Sequence, residues 1–293
     1  MIGEFPIVTF DTSAHNRLVD DGALSEPILA RIESGLWFRF AGLSVEELFA
    51  TPTPDDRDAL FTSCRRLQRG PSECLLPPNK LLEQLILNHI NDPKNFNWKF
   101  VNVRWPRCEA AIRDAQFFAD ERVSQGQREF QRERKKIGKD DLVALRPKIQ
   151  AIFEAHGEAP PVTFQPAISR LENSNDGRAV SYAATRFYDH VAKVNTDEVT
   201  VKEFMSVCPP LRALVYAIFV PWYNTAVRDY HAGQKLDAGN NDLFMSVYLP
   251  YCDRFVTNDA GQEKALREVA AVANLDTEVL SYDDFCASFL VAF

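Results

Sequence analysis

Apolar residues along this chain are spaced in two ways, and the change of spacing marks its organisation. Ile7 to Phe10 is a short, continuous, apolar-rich run with β-branched members, which predicts a buried parallel strand ending at Asp11. Thr12 and Ser13 are capping residues for a helix through Leu18. Ser25-Glu26-Pro27 opens a helix to about Ser34, and Leu36 to Phe40 is a second strand. Ser44 followed by Glu47 has the spacing of a capping box and predicts a helix from near Val45. Thr51-Pro52-Thr53-Pro54 is a break. Apolar residues then recur every three or four positions, predicting helices over Asp58–Leu67, Asn79–Ile90, Glu109–Ile137, Asp140–His156, Val180–Val194, Val201–Met205 and Leu211–Ala232. Gly157–Pro161 and Leu171–Gly177 read as loops. Beyond Gly233 the rhythm returns to short elements: a helix over Asp242–Tyr248, a strand over Arg254–Thr257, a helix over Gln262–Ala273, a strand over Glu278–Leu280 and a last helix from Tyr282. No repeat of fixed period stands out.

Strand and helix alternating at both ends predict an α/β fold, a parallel sheet flanked by helices. Residues 1–51 and 235–293 are expected to form one discontinuous lobe, with 52–234 as a mostly α-helical middle segment. Charge follows the same division. Residues 1–51 hold 3 basic and 8 acidic side chains and residues 235–293 hold 4 and 10, so both ends are strongly acidic, while the rest is mildly basic within a total of −8. This suits a cation-binding lobe beside a segment that can meet an anion.

A hydrophobic fraction of 46% with 21 Phe is enough for a core. The longest apolar run, Ala213 to Val220, is too short to span a bilayer and reads as a buried helix, so no membrane association is expected. No basic start followed by an apolar run opens the chain, which points to a cytoplasmic protein with reduced, buried thiols. The six cysteines form no CxxC pair and the five histidines do not cluster with them, which argues against zinc.

Four acids carry the candidate chemistry. Asp11 and Asp259 follow predicted strands, and Glu47 and Asp242 fall in the first turns of predicted helices. In open α/β sheets ligands bind beyond the carboxyl ends of the strands, so all four can reach one edge. Clustered carboxylates repel one another and need a cation to stay ionised together, and hard Mg²⁺ or Mn²⁺ fits such oxygen ligands. A metal of this kind activates water and stabilises a phosphate oxyanion during in-line attack. Each acid also has a plainer reading: Asp11 as a helix cap, Glu47 as the N3 partner of Ser44, Asp242 as a helix N-terminal charge and Asp259 as a turn residue. Glu46, beside Glu47, is an alternative inward-facing residue.

These segments resemble a family. Ile7-Val8-Thr9-Phe10-Asp11-Thr12-Ser13 looks like the opening strand of PIN-domain nucleases, and Leu43-Ser44-Val45-Glu46-Glu47-Leu48 looks like their second acidic motif. Asn241-Asp242 and the run from Tyr248 to Asp259 are similar to the closing pair of acidic motifs, and Val279 to Phe285 to the last strand and helix. The resemblance covers about residues 5–51 and 236–290. It implies a metal-dependent endoribonuclease, with toxin-like members common in bacteria. Asp11, Asp242 and Asp259 would bind Mg²⁺ or Mn²⁺, Glu47 would position the attacking water, and Thr12, Thr257 and Asn258 would orient these groups or serve as turn and cap residues. The departure is the separation of 195 positions from Glu47 to Asp242, far longer than in compact members, which implies that 52–234 holds a large, mostly α-helical insertion.

Two other readings stand beside this one. The lobe can be a catalytically inactive scaffold whose helical insertion binds a regulatory or inhibitory protein partner. It can also be a Rossmann-like phosphotransferase with Asp11 as nucleophile, although no Asp stands two residues after it. Arg128 to Lys139 holds six basic residues and two acids; it reads first as a solvated helix face with Glu–Arg pairs, and Arg132, Arg134, Lys135 and Lys136 also suit a phosphate backbone. Asn97-Trp98-Lys99-Phe100 interleaves aromatics with a base, as in stacking on single strands or in a packed core edge. His15, near Asp11, is a substrate contact or a structural histidine.

Overall fold

A computed structural model describes residues 6–22, 24–70, 72–133, 163–173, 178–193, 195–227 and 240–290. Five strands lie in one sheet in which every pairing is parallel: β1 (Ile7–Phe10), β2 (Trp37–Phe40), β3 (Ser72–Cys74), β4 (Arg254–Thr257) and β5 (Glu278–Ser281), in the spatial order β3-β2-β1-β4-β5. β1 lies between β2 and β4, and Thr9 stands opposite Phe255. The two chain ends are thereby zipped together at the middle of the sheet, where the strand order reverses.

Helices cover both faces, as a parallel sheet requires. The first crossover is α1 (Thr12–Asp20) and α2 (Ser25–Gly35), and the second is α3 (Gly42–Phe49) and α4 (Pro54–Leu67). After β3 the chain runs through α5 (Pro78–Asn91), α6 (Pro106–Arg113), α7 (Ala115–Ala119) and α8 (121–133 among the described residues). Then come α9 (Phe164–Asn173), α10 (Arg178–Ala192), α11 (Glu198–Val207), α12 (Pro209–Val227) and α13 (Asn240–Phe244). A 3₁₀ segment, Met245–Tyr251, leads into β4; α14 (Ala260–Val272) joins β4 to β5, and α15 (Tyr282–Leu290) follows.

Side-chain alternation along the strands feeds two cores. Val8, Phe10, Phe38, Phe40, Val256 and Leu280 pack with α1, α2, α4, α6 and α15 on one face. Phe255 and Val279 pack on the other face with α14, the 3₁₀ segment and the helices α5 and α9 to α12. Those helices of the middle segment therefore cover one side of the sheet, while its α4 and α6 lie on the other. Ala213 to Val220 lies inside α12, and most of that run is buried in this core. No single helix among the described residues is long and apolar enough to cross a membrane.

Several boundaries differ from the sequence reading. β3 is a strand inside 52–234; its three residues are too few for a periodic signal, and pairing with Phe38 to Phe40 defines it. The stretch Glu109–Ile137 is broken twice, because Asp114 and Asp120 turn their carboxylates onto the backbone N–H groups of Gln116 and Arg122. Leu171–Asn173 belong to α9 instead of a loop. Asp242–Tyr248 divides into the end of α13 and the start of the 3₁₀ segment. α3 begins at Gly42 without a capping box. Its Ser44 hydroxyl donates to Phe10 O at 3.1 Å, leaving Glu47 to other partners. Gly42 permits this early start, since a Cβ there would collide with Leu75 O and stand 2.7 Å from Pro77 N. The helix expected at Asp140–His156 and the loop at Gly157–Pro161 lie outside the described residues.

All six cysteines are buried and unpaired by disulfide. Trp98 packs edge-on against Tyr251, as a core-edge aromatic does, while Phe100 is exposed.

Candidate active site

The carboxyl ends of β1 and β4 meet below a cleft of about 360 Å³. Asp11, Glu47, Asp242 and Asp259 all line it, together with Thr12, Ser13, Asn16, Thr51, Gln131 and Gln262. Each acid arrives on a different element. Asp11 ends β1 and caps α1, Glu47 projects from α3, Asp242 sits in α13, and Asp259 follows β4 and caps α14. Glu46 is not among the lining residues, so α3 presents the second of its adjacent glutamates to the cleft.

Asp11 is the buried member, 4% exposed. Its Oδ1 accepts the Ala14 N–H at 2.7 Å, as a helix N-cap does, and Ser13 Oγ lies 2.9 and 2.8 Å from its two oxygens. Thr257 Oγ1 lies 2.8 Å from Oδ2. Burial nevertheless wins over these hydrogen bonds and pushes the carboxyl up to about 7, and the charge of Asp242 adds to the rise. That charge effect places Asp242 within electrostatic reach of Asp11, across more than two hundred positions of sequence.

A hydroxyl and amide network surrounds the acids. Thr12 Oγ1 donates to Glu47 Oε2 at 2.5 Å. Thr257 Oγ1, 1% exposed, has one proton to share between Asp11 Oδ2 and Gln262 Oε1, the latter at 2.7 Å, while it accepts the Asp259 N–H at 3.0 Å. Gln262 Nε2 donates to Asp242 O at 3.3 Å, and the Gln262 N–H donates to Asp259 Oδ1 at 2.9 Å. Gln262 therefore ties together two of the places that carry acids, α13 and the turn between β4 and α14. The Asn258 N–H donates to Ser13 Oγ at 2.7 Å, and Asn258 itself is exposed and does not line the cleft.

Sequence reading missed Ser13, Asn16, Gln131 and Gln262. Helix spacing offered one usable signal: Gln262 lies three residues after Asp259, which sets it beside the cap. His15 points away from the cleft into the aromatic core, with Phe10, Phe38 and Phe40 around it, and burial lowers it to about 3. Its surroundings are those of a structural histidine. Arg132 is exposed on α8; Arg134, Lys135 and Lys136 lie outside the described residues.

The donor set among the described lining residues, carboxylates with neutral oxygens and no thiolate or imidazole, is of the kind that suits a hard cation. Among the described residues no three His, Cys, Asp or Glu side chains converge into a ready-made metal cage. No known family, curated protein or solved structure matches the chain.

Proposed function

We propose that this is a PIN-like, metal-dependent endoribonuclease that hydrolyses RNA phosphodiester bonds. The observation that supports it is the gathering of four carboxylates, from both ends of the chain, around one cleft at the point where the strand order reverses. Asp11, Asp242 and Asp259 would hold Mg²⁺ or Mn²⁺, directly or through water, and the ion would supply charge stabilisation at the phosphate and a more acidic water. Glu47, held by the Thr12 hydroxyl, orients the attacking water and accepts its proton. Ser13 and Thr257 fix the Asp11 carboxylate, and Gln262 ties the Asp242 and Asp259 backbones together. No covalent protein nucleophile is needed. The uncharged sheet interior behind Asp11 keeps water out on that side.

The test is cleavage of a single-stranded RNA by the purified chain, with Mg²⁺ or Mn²⁺ and then with excess EDTA. The expected result is cleavage that EDTA abolishes. Cleavage that persists in EDTA overturns the metal-dependent mechanism.

One observation favours a second reading, a PIN-like scaffold without activity whose insertion binds a partner protein. The Asp11 oxygens are already engaged by Ser13, Ala14 and Thr257, and no three ligands converge among the described residues. Absence of cleavage together with absence of Mn²⁺ binding would select this reading.

A further inference from the structure

A second cleft, of about 600 Å³, opens at the C-terminal half of α10 and the chain that follows it. Arg186, Phe187, Asp189, His190, Lys193 and Asn195 line it, and none of them lines the acidic cleft. Arg186, His190 and Lys193 stand at i, i+4 and i+7, the spacing that brings residues to one side of a helix. All three are exposed, and among the described residues none of their side chains makes an ion pair or a hydrogen bond. Elsewhere Arg39, Arg66, Arg104 and Arg267 each reach a carboxylate. Asp189 is the acid on this lining, and it is committed to the turn. Its carbonyl accepts the Lys193 N–H and its Oδ1 accepts the Thr196 N–H, each at 2.8 Å. Two permanent cations thus face one carboxylate already in use.

A helix C-terminus attracts cations by its own dipole, which accounts for His190 and Lys193. Arg186 precedes the last turn of α10, beyond the reach of that effect. Lys193 carries a second sign. Its backbone is left-handed, with φ of 59°. Glycine or asparagine takes this conformation at little cost, as Asn274 does after α14. Lysine there is strained, and a long cationic side chain kept at a glycine-like position points to a use for its charge.

We propose that this second cleft is an anion site that binds a phosphate group, through the planar fork of Arg186 and the ammonium of Lys193. The His190 ring and the Asn195 amide add N–H donors, and half-buried Phe187 adds an apolar surface for the body of the ligand. The volume suits a nucleotide-sized group. A free nucleotide and a nucleic-acid strand present the same phosphate. No acid of the first cleft takes part, so this site stands apart from the nuclease reading.

The experiment uses the full chain in EDTA with two probes: uridine 5′-monophosphate by titration calorimetry, and a fluorescein-labelled single-stranded RNA of about 12 nucleotides by anisotropy. EDTA removes any metal from the acids, so failure here is distinguishable from failure of the nuclease reading. Wild type is compared with Arg186→Gln, Arg186→Glu and Lys193→Gly, and each protein is also melted. Wild type is expected to bind at least one probe saturably. Arg186→Gln is expected to weaken that binding about fivefold to tenfold, and Arg186→Glu to abolish it. Lys193→Gly is expected to weaken it by a similar factor while the melting temperature rises by about 2 °C, because the backbone strain is released. Saturable binding of the mononucleotide assigns the site to a free nucleotide, and binding of the RNA alone assigns it to a strand. Wild-type affinity in either Arg186→Gln or Lys193→Gly overturns the inference, as does binding of neither probe by wild type.

Discussion

Asp11 and His15 sit about one turn apart at the start of α1, both almost fully buried, and their surroundings push them in opposite directions. Asp11 faces the cleft among hydroxyls and N–H groups, and burial raises it to about 7. His15 faces the opposite way, into Phe10, Phe38 and Phe40, and burial lowers it to about 3. Desolvation acts on both against the charged form. What separates a site from a core is the set of partners. Asp11 has four polar contacts from three residues and three other acids on the same cleft. The His15 ring meets the Cys64 sulfur at 4.0 Å from Nδ1. A buried ionisable group becomes a candidate for chemistry only where the fold also supplies something for its charge to meet.

The largest way to break this comparison is to neutralise the cleft member. Asp11→Asn is expected to lower Mg²⁺-dependent RNA cleavage by about 10³-fold, measured as single-turnover rate, while leaving the circular dichroism spectrum unchanged. His15→Leu, on the same helix, is expected to leave that rate near wild type.

Next in size is a buried latch: Arg57 of α4 donates to Thr51 O, Ser124 Oγ and Glu121 Oε2 and so ties α8 to the turn after α3. Arg57→Ala leaves Ser124 and the Thr51 carbonyl without their buried cation and should destabilise the fold by about 3 kcal/mol, read from urea unfolding. Glu121→Gln removes the half-exposed end of the same latch and should cost only about 0.5 kcal/mol.

The pH dependence of stability in EDTA sharpens the comparison further. A folded Asp11 holds its proton up to about pH 7, while an unfolded aspartate releases it near 3.8. The native state binds the extra proton across that interval, so this contribution to stability falls as pH rises from about 4 to 7. A folded His15 stays neutral down to about pH 3, while an unfolded histidine gains its proton near 6.5. Here the unfolded state binds the extra proton, and the contribution falls as pH drops from 6.5 toward 3. Between about pH 4 and 6.5 the two slopes oppose each other in wild type. Asp11→Asn should therefore gain stability as pH rises through that window, and His15→Leu should lose it, by a few kcal/mol at most. Two variants with the same slope would show that these groups do not titrate as their surroundings require.

Much of this arrangement was legible in the sequence. The strands at Ile7–Phe10 and Arg254–Thr257 were visible because a parallel strand buried on both faces is a continuous apolar run. The acids at their ends followed from where open sheets bind ligands. β3 was not legible, because three residues carry no period and their register comes from β2. The capping box at Ser44 was misread because Ser44 serves a tertiary partner, Phe10 O, that local spacing cannot reveal. Gln262 and Gln131 were missed for the same reason. A glutamine signals nothing by itself, and both gain meaning only from elements brought together by the fold.

The central claim is that the four cleft acids form one cation site, and Mn²⁺ titration calorimetry tests it most directly. Wild type should bind Mn²⁺ saturably at pH 7.5, Asp11→Asn should lose that heat, and His15→Leu should retain it. Equal heats from wild type and Asp11→Asn, or no binding by wild type, would contradict the claim.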